Sequence, residues 1–72
     1  MKPEKIGEHI PNISAEIHQA GVEGSISVAG EGDNGFIRVR ITSGNSQKVP
    51  LSYTIEGENV RVEVSEVDAI QI

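Results

Sequence analysis

The sequence predicts an α+β fold in which an N-terminal helix packs on a four-stranded antiparallel sheet. Three observations carry that reading. Four isoleucines recur at helical spacing in the first third of the chain. From Ser25 onward, apolar and polar residues alternate. The segments between the alternating runs are short and rich in Gly, Asn and Ser.

The helix comes first. Ile6, Ile10, Ile13 and Ile17 are spaced 4, 3 and 4 residues apart. At about 100° per residue they form one narrow apolar stripe. Pro3 suits the first helical position, where its missing N–H costs nothing. Glu4 then lies near the positive end of the helix dipole and His18 near the negative end. Gly21 is the predicted stop, with Val22 meeting Ile17 in a Schellman ending. Pro11 interrupts this pattern, because an interior proline removes a hydrogen bond and clashes with the carbonyl four residues back, here that of Gly7. The stripe keeps its phase through Pro11. The expectation is therefore either one kinked helix over about residues 3–20, or a short turn followed by a helix from about 11 to 20.

The strands are expected at about 25–29, 36–42, 48–55 and 60–65. Their apolar faces carry Ile26 and Val28; Ile37, Val39 and Ile41; Val49, Leu51, Tyr53 and Ile55; and Val60, Val62 and Val64. The connections "GEGDNG", "SGNSQ" and "EGEN" are short enough for antiparallel neighbours, so a meander is predicted. Pairing Val28 with Ile37, Ile37 with Tyr53, and Tyr53 with Val62 puts every apolar residue on one face. The same register makes one polar row of Ser27, Arg38, Ser52 and Glu63, and a second of Ala29, Phe36, Thr54 and Arg61. The isoleucine helix is the natural cover for the aliphatic face.

The stretch Gly30 to Gly35, "GEGDNG", matches the dinucleotide-binding pattern G-x-G-x-x-G. That motif needs a helix after it, so that the helix N-terminus meets the pyrophosphate. Here "FIRVRIT" follows, which is a strand pattern, and Glu31 and Asp33 would repel phosphate. A nucleotide site is not expected. The glycines are read as suppliers of positive φ in a hairpin loop, with Asn34-Gly35 favouring the turn.

Composition narrows the function classes. The chain has 72 residues, so one domain is expected, and it contains no cysteine to staple a small core. Eleven acids against six bases give a formal charge of −5, which argues against wholesale phosphate binding. No signal-like apolar stretch and no membrane-length run is visible, so a cytoplasmic location is expected, with no membrane association. His9 and His18 are nine residues apart, about 900° around a helix, which sets them on opposite faces and makes a chelating pair unexpected. Glu31, Asp33 and Asn34 do not complete a calcium loop. No nucleophile motif accompanies the histidines, so no catalytic residue, cofactor, metal or small-molecule substrate is expected.

The remaining readings concern binding. Phe36, Arg38, Arg40 and Arg61 share the polar sheet face, a pattern that can stack single-stranded bases. Glu56 and Glu63 sit among those arginines and would pair with them, so nucleic acid is the weaker reading. The segment "VSEVDAIQI" stays apolar at Val67, Ile70 and Ile72. It can add a fifth strand in cis or pair with another chain. The expected function is therefore a non-enzymatic protein–protein interaction module, an inhibitor, adaptor or assembly component. Its contacts would be Phe36, Arg38, Arg40, Arg61, Glu31, Asp33, Ile70 and Ile72, and self-association is one outcome.

Overall fold

Pro11 decides how the N-terminal third folds. In the computed structural model, which describes residues 1–66, the chain forms two helices, α1 (Pro3–Gly7) and α2 (Ile10–Gln19). The break falls at Glu8 and His9, and Pro11 lies in the first turn of α2, where its missing N–H needs no partner. This is the broken form of the two expected outcomes. The stripe survives the break: Ile6, Ile13 and Ile17 are buried and Ile10 is half-buried. Gly21, with φ 87°, ends α2. Its N–H donates to the His18 carbonyl (3.0 Å), and the Val22 N–H donates to the Ile17 carbonyl (3.3 Å). Those are the two bonds of a Schellman ending, and Val22 and Ile17 are both in the core, as expected.

Four strands follow: β1 (Glu23–Ala29), β2 (Phe36–Ser43), β3 (Ser52–Ile55) and β4 (Glu58–Glu66). Their spatial order is β1-β2-β4-β3, not the meander the short connections suggested. The β1–β2 and β3–β4 pairs are antiparallel, whereas β2–β4 is parallel, so the sheet is mixed. The expected Val28–Ile37 pairing is present. The other two expected pairings are replaced: Ile37 faces Val62, and Tyr53 faces Val60.

The cause lies between β2 and β3. Pro50 cannot donate to a strand ladder, so the pairing that was expected from residue 48 begins only at Ser52. Residues 44–51 become a bridge instead. They contain a 3-10 turn (Ser46–Lys48), held by the Asn45 carboxamide oxygen accepting from the Gln47 N–H at 2.9 Å. Val49 pins the bridge to the core, while Leu51, expected on the apolar face, is 75% exposed. An eight-residue bridge (residues 44–51) reaches easily across two strand spacings, about 10 Å, leaving a slot between β2 and β3. The hairpin turn at Glu56 and Gly57, with φ values of 50° and 82°, has the two positive angles a type I′ turn requires. It returns the chain into that slot as β4. The strand richest in valine thereby becomes central, and the short polar β3 becomes an edge.

The core lies between the helices and one sheet face. It is built from Ile6, Ile13, Ile17, Val22, Ile37, Val39, Ile41, Val49, Ile55, Val60 and Val62. In the Gly30–Gly35 loop, Gly30 and Gly32 take positive φ (103° and 58°) but Gly35 does not. Gly35 is required for another reason. A Cβ there would lie 2.7 Å from the Met1 carbonyl oxygen and 2.9 Å from the Ile6 Cδ1. The Gly35 N–H donates to that same Met1 oxygen at 2.9 Å. The loop is thus stitched to the N-terminal segment and leads from strand to strand.

Candidate binding surfaces

Two surfaces stand out, and the sheet order determines both. The first is the polar face. Because β4 rather than β3 lies beside β2, Arg38 pairs directly with Glu63, and Arg61 falls next to Phe36. The Arg61 guanidinium carbon sits 4.0 Å from the Phe36 ring centroid, and that of Arg38 sits 5.6 Å from it. Arg61 also donates to the Glu63 carboxylate, and Arg38 lies 4.0 Å from the same group. Phe36 points away from the core yet is only 9% exposed, since the arginine side chains cover it. Its ring is not open for stacking a base.

Arg40, one pair further along β2, lies between Ser25 of β1 and Ser65 of β4, and no ion pair to it occurs among the described residues. Glu31 and Asp33 are exposed on the β1–β2 loop. Asp33 shares a shallow hollow with Asn59 and Arg61, so the acidic loop borders the arginine cluster. Ile70 and Ile72 lie outside the described residues. The expected contacts therefore separate into one assembled group (Phe36, Arg38 and Arg61, joined by Glu63), two neighbouring acids, and Arg40 alone.

The second surface was not singled out from the sequence. β1 is an edge of the sheet, with one side unpaired among the described residues. Beside it runs a groove of about 510 Å³ between α2 and β1. Pro11, Ser14, Ala15 and His18 form its helical wall, and Ile26 and Val39 form its floor. Ile26 and Val28 are only half-buried, unlike the corresponding residues of β2. The helices thus leave the outer strip of the aliphatic face partly open. A signal for this was present in the sequence: "GSISVA" holds no charge and no proline, the residues that usually guard a strand edge.

Titration chemistry is sparse. Burial pushes the Tyr53 phenol above its ordinary value, and the Glu16 carboxylate adds to the shift. His9 meets the Glu56 carboxylate at 3.2 Å on an exposed site where α1 gives way to α2. Among the described residues, no three His, Asp or Glu side chains gather as a metal site. No helix among them is long and apolar enough to cross a membrane. No protein-family model matches the chain, and no curated protein or solved structure shows significant similarity to it.

Proposed function

We propose that this chain is a non-enzymatic protein–protein interaction module, working by surface complementarity as an inhibitor, adaptor or assembly component. The observation that supports it is the β1 edge, unpaired among the described residues, with the apolar groove of α2 alongside. An extended protein segment added to such an edge gains main-chain hydrogen bonds, and its alternate side chains enter the groove. The polar face supports a nucleic-acid reading less well. Its one aromatic ring is covered by arginines, and Glu63 offsets their charge.

The test is capture from the source cell with wild type and with the edge-blocked variant S25K/S27K, whose fold is checked by circular dichroism. Wild type is expected to retain proteins that the variant loses. Identical captured sets, or none from either, would count against the reading. Binding of a single-stranded oligonucleotide that weakens steeply with salt would favour the rival.

A further inference from the structure

We infer that the occupant of the β1 edge is a second copy of this chain, joined antiparallel about a twofold axis centred on Ile26. The inference rests on the interaction-module reading and names its partner. The result would be one continuous sheet of twice four strands, with both sets of helices on the same side.

The two edges of the sheet differ in a way that selects β1. β3 spans only four residues and begins two residues after Pro50, both features that blunt an edge. β1 spans seven residues and carries no charge from Gly24 to Ala29. Its midpoint is Ile26. Folding the strand back on itself there sets Ile26 against the partner's Ile26, Ser25 against the partner's Ser27, and Gly24 against the partner's Val28. Glu23 then meets the partner's Ala29 and not another carboxylate. Ser25 and Ser27 match across the seam on one face, and Ile26 matches its own copy on the other.

The groove extends the match. Ile26 and Val28 share the aliphatic face, so the partner's Ile26 and Val28 arrive about 5 Å across the seam, at the open side of the groove. Its helical wall brings three small residues and a histidine toward the same elements of the other copy. Charge points the same way. The chain carries a net −5, yet this strip is free of acids apart from Glu23 at its end. A charged foreign segment would find no counter-charge between Gly24 and Ala29, whereas a copy of the strip itself meets a neutral, self-complementary surface. A 72-residue chain without cysteine also gains from the extra apolar burial that a second copy provides.

The experiment is solution mass by light scattering over a concentration series, with circular dichroism on every variant. Wild type is expected at twice the 7.7 kDa chain mass. S25K/S27K and S25E/S27E, which each oppose like charges across the seam, are expected to weaken the dimer about tenfold or more. Mixing the two variants is expected to restore it, an outcome that unfolded chains cannot produce. As a second readout, I26C in this cysteine-free chain is expected to cross-link to itself on mild oxidation, because Cα atoms opposed across an antiparallel pair lie within disulfide reach. T54C on β3 is expected not to cross-link. A wild type that stays at the single-chain mass, or cross-linking through T54C but not I26C, would overturn the inference. A single-chain wild type whose β1-dependent capture of other proteins persists would refute the second copy while leaving the interaction module standing.

Discussion

Ile6 and Ile10 belong to the same sequence stripe, but the structure treats them differently, and alanine substitution should separate them. Ile6 is fully buried, at 0% exposure, beneath a helix of only five residues. Ile10 is half-buried at the start of α2. Truncating a fully buried isoleucine costs about 2–5 kcal/mol, from lost transfer energy plus the cavity left behind. With the Ile6 Cδ1 already against the Gly35 backbone, little can collapse into the space, so I6A should fall near about 3–4 kcal/mol. I10A should cost about 1 kcal/mol, since a half-exposed side chain loses less and leaves no enclosed cavity. A chain of this length has a total stability of about 4–11 kcal/mol, so I6A removes a large fraction of it. In urea, with a slope of about 1 kcal/mol per molar, the midpoint should drop by about 3 M for I6A and about 1 M for I10A, with slopes unchanged. If I6A is already unfolded in water, I6V, at about 1 kcal/mol, keeps the comparison measurable. Equal shifts for I6A and I10A, or a loss below about 1 kcal/mol for I6A, would refute the assignment of Ile6 to the core.

Three further substitutions address the backbone and pH. G7A should stabilise the chain by about 0.5–1 kcal/mol, because a Cβ there meets nothing within 4 Å, while G35A should destabilise it by about 1–3 kcal/mol through the Met1 and Ile6 contacts; thermal melts moving in the same direction would contradict this. E56N should raise the melting temperature by a few degrees. A non-glycine residue at φ 50° costs about 1 kcal/mol that asparagine largely avoids, and the exposed contacts of Glu56 to His9 (3.2 Å) and Lys5 (4.0 Å) offset less than that; a lowered melting temperature would show that those contacts dominate. Tyr53 has a folded-state value raised by burial and by Glu16, so its contribution is complete below an unfolded value of about 10 and is lost as pH climbs through the folded value. Urea midpoints measured up to about pH 11 should therefore fall less steeply in Y53F than in wild type, and parallel curves would exclude Tyr53 as the cause.

The legible parts of the fold were those set by local periodicity. The isoleucine stripe, the Gly21 ending and the Val28–Ile37 register all follow from neighbours in sequence, and all are present. Pro11 announced an interruption, although its position inside a continuous stripe did not say whether the helix would kink or break. Strand order was not legible in the same way. Period-two alternation fixes which face a residue takes but is silent about which strand lies next to which. The alternating Val49, Leu51, Tyr53 and Ile55 concealed a proline, and the strand begins only beyond it, at Ser52. The polar-face residues were grouped correctly as a face. Their actual neighbours were not readable, because Arg61 reaches Phe36 only when β4 sits beside β2.

That one rearrangement also moves the weight of the functional argument. In a meander, Arg61 would lie two strands from Phe36, and the ring would remain an open platform on the polar face. With β4 inserted, Arg61 and Arg38 cover the ring and Glu63 ties them together, so the face becomes a self-satisfied cluster at the sheet centre. Groups already paired with one another offer less to a ligand than groups without partners, because an incoming ligand must first replace those contacts. The backbone donors and acceptors on the outer side of β1 have no such partners among the described residues, and Ile26 and Val28 beside them are only half-buried. Central placement of the valine-rich strand thus quenches the surface that composition made conspicuous. It leaves β1, uncharged from Gly24 to Ala29 and inconspicuous in composition, as the edge that the proposed association would use.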